Sequence, residues 1–351
     1  MSGSLRAIEL FAGVGGFRIG LEESGWKVVW SNQYEPSSKT RQHASEIYRY
    51  RFEENGDTHV NRDINVLLEE MSDDPTSLPP KHDLLVGGFP CQDYSVARVL
   101  NQAAGLIGQK GVLWWSIFRL LKLLKSQDKQ PRFLLLENVD RLIKSPANQR
   151  GRDFAVMLAS LHVLGYRVEW RVINAADYGF PQKRRRVFIV AEMTSSDYHH
   201  DRPEETILRS GVLAEALPVA GTSEGEVDFH SFSIDGDLWE VTQQFGSGNK
   251  VSPFANSGLM CDRLVTTVRT TPTYGGLKQT LSDVLEDHSD VPENYVVPAE
   301  RLDSWRYLKG AKSEARKHKR SDFTYHYTEG ALPFPDPVDR PARTVLTSEI
   351  G

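Results

Sequence analysis

The sequence predicts an α/β protein built on a doubly wound, mostly parallel sheet, with a second, smaller and irregular domain after it. Three observations lead there. Short apolar strands alternate with helical stretches from Arg6 to Ala191. Two of those strands run straight into glycine-rich turns, where a strand-helix unit opens its ligand side. Beyond Glu192 the alternation fades, and Gly, Ser, Pro, Thr and Asp become frequent through Asp339. Domains are therefore expected at residues 1–192 and 193–351.

A chain of 351 residues, 39% of them hydrophobic, can bury a sizeable core. No apolar run approaches the ~20 residues that cross a bilayer. Met1-Ser2-Gly3-Ser4 leads into a strand rather than a signal peptide, so a soluble, cytoplasmic protein is expected. The two cysteines, Cys91 and Cys261, lie far apart and suggest no disulfide framework, which suits a reducing compartment. Cys261 reads as core or incidental, and no metal is expected. The formal net charge of −5 excludes a chain coated in positive charge, so any nucleic-acid binding must come from local clusters.

Arg6-Ala7-Ile8-Glu9-Leu10 reads as a strand entering Phe11-Ala12-Gly13-Val14-Gly15-Gly16-Phe17, before a helix from Arg18 to Ser24. Glycines at that place let a backbone approach a ligand, and free amides at a helix start favour polar or anionic groups. The next strand, Lys27 to Ser31, ends in Asn32-Gln33-Tyr34-Glu35-Pro36. A carboxylate roughly 20 residues after a glycine loop is where a ribose hydroxyl pair is held, and Tyr34 offers a flat face for a base. Pro36 is expected to open a helix running to Phe52. In Arg62-Asp63-Ile64, Asp63 can accept from an exocyclic amine or cap the helix that follows.

Asp83 to Val86 has the length of an inner strand, and Gly87-Gly88-Phe89-Pro90-Cys91-Gln92-Asp93-Tyr94-Ser95 follows it. Pro90 fixes the backbone angle before Cys91, so a thiol is aimed from a sheet edge, where it can serve as a nucleophile. A small buried hydrophobe is the alternative for a lone cysteine. Gln92, Asp93 and Ser95 have no packing value and favour the nucleophile. Val96 to Lys110 carries Gly105 and Gly108 with few core anchors and reads as a lid. Gly111 to Lys125, with Leu113, Trp114 and Trp115, is apolar nearly all round and reads as a buried helix. Phe133-Leu134-Leu135-Leu136 is an inner strand closed by Glu137-Asn138-Val139, and a glutamate there is costly to bury unless paired or functional.

A helix from Arg152 to Leu164 and a strand from Tyr166 to Asn174 precede Gln182-Lys183-Arg184-Arg185-Arg186, which enters an apolar strand. If that strand begins near Arg184, Arg184 and Arg186 share one face and Lys183 and Arg185 the other. Arg301 to Arg320 holds eight basic residues, including Lys317 and Lys319, interleaved with Trp305, Tyr307 and His318. Such a mixture fits a phosphate backbone or a solvated helix face.

In this order the motifs closely resemble the cytosine-C5 DNA methyltransferases of bacterial modification systems, from Ile8 to Val190 and again from Arg340 to Glu349. The resemblance implies the S-adenosylmethionine-dependent methyltransferase type of sheet. It implies S-adenosylmethionine held by Phe11, Gly13, Gly15 and Gly16, with Gln33, Tyr34, Glu35, Asp63, Ile64, Pro90 and Leu113 as further contacts. Cys91 would attack C6 of a cytosine flipped out of double-stranded DNA, because C5 is a poor nucleophile until electrons are pushed into the ring. Glu137 would hold ring N3, Arg186 the exocyclic oxygen, and Arg184 the thiol side. Gln92, Ser95, Lys183, Arg185, Lys317 and Lys319 would contact DNA, and the residues between Ala191 and Arg340 would recognise the target sequence.

Two departures stand out. Many members carry a glutamate for the cofactor ribose where this chain has Gln33, so either Gln33 or Glu35 takes that role. The family's last motif, which returns to cover the cofactor, has no counterpart before Gly351, so a further C-terminal segment or a second polypeptide is expected to complete the pocket. An RNA cytosine methyltransferase and a non-catalytic DNA-binding subunit are the competing classes; the long recognition region disfavours the first, and the intact Cys91, Glu137 and arginine set the second.

Overall fold

The computed structural model describes residues 4–38, 40–52, 58–89, 113–194, 202–221, 227–317 and 324–344. They form two compact units, one of residues 1–173 with 185–273 and one of 174–184 with 274–351. This division does not follow the composition break at Glu192.

The first unit is organised on one ten-stranded sheet. Strands β1 (Arg6–Leu10), β2 (Lys27–Asn32), β3 (His59–Val60), β4 (Leu84–Gly88) and β5 (Phe133–Val139) pair in parallel in the order β3-β2-β1-β4-β5. Between them run helices α1 (Gly16–Glu23), α2 (His43–Phe52), α3 (Ile64–Asp73) and α4 (Leu113–Ser126). The chain winds outward from β1 to β3, then jumps back across β1 to β4, so the switch point lies between β1 and β4. Ligands of doubly wound sheets bind at the carboxyl ends of such a pair.

Both faces of this half are covered, which explains its near-continuous apolar strands. Ile8, Leu10, Leu85, Leu134 and Leu136 point to one face and pack with Trp114, Ile117, Leu120 and Leu121 of α4. Ala7, Val28, Leu84 and Val86 point to the other and pack with Leu21 of α1. Burying a side chain of this size contributes about 1.5–3 kcal/mol each. Trp114 and Trp115 are core, as their place on an all-apolar helix predicts, and the Trp114 indole donates to Ser160 Oγ at 3.1 Å.

The sheet continues past β5 through β8 (Arg185–Met193), which runs antiparallel to β5, and β6 (Tyr166–Asn174), with antiparallel pairing again from β6 to β11 (Ser257–Cys261), β12 (Leu264–Val268) and β10 (His230–Ser233). Residues 230–268 therefore extend the same sheet, although their composition reads as a separate domain. Met260 and Val265 join the core that holds Trp170 and Phe254. Cys261 is half-buried at the end of β11.

Helix α2 begins at His43, not at Pro36. The Gln42 side chain accepts from the Glu35 amide at 2.7 Å and donates to the Glu35 and Ser38 carbonyls at 3.0 and 2.9 Å, which ties the start of α2 back to the end of β2. Glu35 Oε2 accepts from the Ala44 amide at 3.2 Å, supplying the helix start with an anion that offsets its dipole.

In the second unit, β7 (Gln182–Lys183) pairs in parallel with β16 (Ala342–Arg343), and Thr344 Oγ1 donates to the Lys183 carbonyl at 2.6 Å. A helix over Leu302–Lys309 leads to a hairpin of β14 (Lys312–Lys317) and β15 (Thr324–Glu329). Among the described residues no helix is long and apolar enough to cross a membrane.

Candidate active site

The glycine turn after β1 departs from ordinary backbone at three positions. Phe11 has φ +54°, Gly13 +55° and Gly15 +92°. A non-glycine residue in the left-handed region costs roughly 1 kcal/mol and marks a turn held for a purpose. A Cβ added at Gly13 or Gly16 would meet nothing within 4 Å, so both open onto free space, while one at Gly15 would come within 2.1 Å of the Phe52 ring. This backbone has room for a close ligand on one side and a fixed support on the other.

Gln33 and Glu35 are placed differently. Gln33 Oε1 accepts from the Gly13 amide at 2.9 Å, tying the end of β2 to the turn, whereas the Glu35 carboxylate serves α2. Tyr34 between them is 40% exposed. Asp63 caps α3, its Oδ1 accepting from the Asn65 amide at 2.8 Å. Ile64 is buried in the main core and Leu113 packs against it from the first turn of α4. The turn, the end of β2 with its exposed ring and Gly16 at the start of α1 can together cradle a nucleoside-bearing cofactor.

The second cluster forms at the ends of β4, β5 and β8. Gly88 pairs with Glu137 across β4 and β5, and a Cβ there would stand 3.4 Å from Glu137 Oε2. Across β5 and β8, Val139 faces Arg186 and Glu137 faces Phe188, so Glu137 and Arg186 are diagonal neighbours on one face. Arg186 Nε donates to Glu137 Oε1 at 2.7 Å, each side chain 21% exposed. The carboxylate that the apolar strand predicted to be paired or functional thus has a partner and a water-accessible edge. Arg185 projects to the opposite side and meets Asp140 at 3.3 Å, both well exposed, a contact worth under about 1 kcal/mol.

Arg184 belongs to neither strand. It sits between β7 and β8, its carbonyl accepting from the Ala175 amide at 3.0 Å, so the two-residue alternation that would pair it with Arg186 is interrupted. Lys183 and Lys317 are exposed. Within the Arg301–Arg320 stretch several charges are already engaged: Lys312 with Glu329 at 2.9 Å, and Arg316 with Glu314 at 2.7 Å and over the Tyr327 ring at 3.6 Å. Pro90, Cys91, Gln92, Ser95, the 96–110 lid and Lys319 lie outside the described residues.

Asn138 was given no role from sequence. Its Nδ2 donates to the Phe89 carbonyl at 2.8 Å, and Phe89 is buried against Trp114 at 5.7 Å, so the chain is anchored on both sides two residues before Cys91. A second omission is Glu9, fully buried and bonded to Tyr48. The signal was present, since a carboxylate inside Ala7-Ile8-Glu9-Leu10 carries the same burial cost as Glu137.

A doubly wound sheet with an open glycine turn after its first strand, and a carboxylate–guanidinium pair beside the end of its fourth, defines an α/β protein with a ligand site at the carboxyl ends of its strands. Comparison with known proteins narrows this. The family model of the C-5 cytosine-specific DNA methylases matches residues 5–330. A Type II methyltransferase of Staphylococcus aureus, M.Sau3AI, is 43% identical over 98% of this chain and 80% of its own length. M.NgoBI of Neisseria gonorrhoeae is 34% identical over 60% of this chain and 57% of its own. A DNMT2 variant from Spodoptera frugiperda is similar in structure with TM-score 0.49 and 15% identity, over 86% of this chain and 65% of that one. The chain belongs to the C-5 cytosine-specific DNA methylases, and so is a DNA cytosine-5-methyltransferase that draws on a methyl donor.

Proposed function

We propose that the methyl donor is S-adenosylmethionine and that the methyl is placed on C5 of a cytosine flipped out of duplex DNA, with Cys91 as nucleophile. The observation that carries this reading is the Glu137–Arg186 pair at 2.7 Å, set over Gly88 at the end of the strand that leads to Cys91. When bound, S-adenosylmethionine supplies an electrophilic methyl on a sulfonium. The open backbone at Gly13 and Gly16 fits it, with Phe11, Gly15, Asp63, Ile64, Pro90 and Leu113 as further walls, and Tyr34 as the flat face for its base. Gln33 rather than Glu35 suits the ribose, because its side chain lies at the glycine turn, bonded to the Gly13 amide, whereas the Glu35 carboxylate faces the start of α2.

In this reading the Cys91 thiolate forms a bond to C6 and pushes an electron pair toward C5. Glu137 meets N3 and removes the charge that would build there, while Arg186 orients Glu137 and takes the exocyclic oxygen. Arg184 acts on the thiol side. After C5 has gained the methyl, its proton leaves, the S–C6 bond breaks and the thiolate returns. Gln92, Ser95, Lys183, Arg185, Lys317 and Lys319 would hold the DNA, and the residues beyond 193 would select the sequence. The role is modification in a restriction-modification system, in the cytoplasm.

The central test uses duplex DNA containing 5-fluorocytosine, which blocks proton loss from C5. Wild-type protein with S-adenosylmethionine is expected to form a covalent complex; Cys91→Ser should form none yet still bind the donor, and Cys261→Ser should behave as wild type. An adduct through Cys261 would overturn the assignment, and the same assay on transfer RNA separates the RNA enzyme from the DNA enzyme.

A further inference from the structure

Beneath the glycine turn lies a buried acid that the chemistry above does not use. Glu9 is fully buried on β1, and its Oε2 accepts from the Tyr48 hydroxyl at 2.9 Å; its Oε1 has no partner among the described residues. The groups around it are Arg18 and Glu22 from α1, Tyr48 from α2, Ser31 opposite it on β2, Val86 opposite it on β4, and His59 of β3 stacked behind Tyr48 at 4.4 Å. The Arg18 guanidinium lies 5.5 Å from the centre of the Tyr48 ring and 4.7 Å from that of Phe52. It donates to the Tyr48 hydroxyl and the Phe52 carbonyl, both at 3.4 Å, and pairs with Glu22 at 2.6 Å. Phe52 in turn fills the space where a side chain at Gly15 would stand. Acid, phenol, guanidinium and phenyl ring form one column from the sheet to the turn.

We infer that Glu9 is a positioning residue for the methyl donor: through Tyr48, Arg18 and Phe52 it supports the Gly13–Gly16 turn and the positive end of α1 that an anionic ligand group would meet. The inference rests on the reading that this turn holds S-adenosylmethionine, whose amino-acid carboxylate is such a group. Burial raises the Glu9 carboxyl to about 7, against the pull of the Tyr48 hydroxyl and the Arg18 guanidinium. Ionised, it sets a negative charge beside the first turn of α1 and opposes the dipole that attracts a second anion, an effect of about 1 kcal/mol. Arg18 offsets this only in part, being already paired with Glu22. His59, pushed down to about 4 by burial, stays neutral over the same range and cannot compensate.

The test is calorimetric titration of S-adenosylmethionine into wild type, Glu9→Gln and Tyr48→Phe between about pH 6 and about pH 8.5, a span that brackets the ionisation. Ionisation of the ligand is common to all three proteins and cancels in ratios. The Kd of wild type relative to Glu9→Gln is expected to rise about fivefold across this span. Tyr48→Phe, which releases the acid from its donor, should raise the donor's Kd and KM several-fold at the lower pH while kcat at saturating donor stays within about twofold. A Kd ratio that does not change with pH, or a Tyr48→Phe protein with wild-type KM, overturns the inference even if both variants melt at lower temperature, because a merely structural role would move the melt alone. Absence of binding by wild type at every pH overturns the donor reading itself, which is a different result.

Discussion

Replacing Glu9 by glutamine should change how the stability of this protein depends on pH, apart from any ligand. The carboxyl is fully buried and its folded-state value is raised from 4.5 to about 7, chiefly by burial. A raised acid binds its proton more tightly in the folded chain, so between those two values the folded state holds more protons than the unfolded one. Stability is then greatest below the unfolded value and falls as pH rises toward about 7, beyond which the loss is complete. The shift corresponds to about 3 kcal/mol in all, most of it falling between about pH 5 and about pH 7. Glutamine keeps the shape and can still accept from Tyr48 through its carbonyl oxygen, but it does not titrate. Guanidinium unfolding of both proteins at several pH values reads the difference directly. The stability of Glu9→Gln minus that of wild type should grow by about 2–3 kcal/mol over the interval. Parallel curves would show that Glu9 is solvated or compensated in the folded state, and the reasoning from its burial would fail.

Other substitutions test the rest of the site. Gly15→Ala places a side chain at φ +92° and against the Phe52 ring, and should lower the unfolding free energy by about 2–4 kcal/mol; adding Phe52→Leu should recover the part due to the ring but not the part due to the backbone. Asp63→Ala removes the α3 cap and should cost about 1 kcal/mol in thermal unfolding, whereas Asp63→Asn should cost a few tenths, so a fall in donor affinity common to both would separate a ligand role from the cap. Glu137→Gln can still accept from Arg186 and should cost under about 1 kcal/mol of stability while slowing methyl transfer at least about 100-fold; turnover near wild type would remove Glu137 from the chemistry. Neutralising Lys317 and Lys319 together should flatten the plot of log binding constant against log salt by about 2, and an unchanged slope would leave them as solvated surface.

Much of the first half of this molecule is legible in the sequence because it is set by short-range rules. The strand from Tyr166 to Asn174 has the bounds its pattern predicts, and β1, β4 and the buried α4 lie where apolar runs and glycines place them. The same rules single out the glycine turn and Glu137, because a left-handed turn needs glycine and an apolar strand does not tolerate an idle carboxylate. Where the reading failed, a specific side-chain or strand-pairing contact decided. Glu35 bonds to Gln42 and to the Ala44 amide at the start of α2, and next to Arg184 the chain pairs β7 with β16, about 160 residues away by the spacing of the Thr344–Lys183 bond. The residues between His230 and Val268 read by composition as part of a second domain, yet pairing with the edge of β6 satisfies their backbone and burial beside Trp170 covers their apolar side chains.

What the sequence determined by itself is therefore the class of fold, the turn that can receive a cofactor and the acid that must be paired, since each follows from the conformational or solvation cost of a residue among its immediate neighbours. Only the tertiary structure decided that the partner of Glu137 is Arg186, that Asn138 anchors the approach to Cys91, and that Glu9, Tyr48, Arg18 and Phe52 stand in one column under Gly15. Those pairings join residues from different strands and helices, and no local preference carries the information about which of several arginines, or which tyrosine, the register of the sheet will bring within hydrogen-bonding distance.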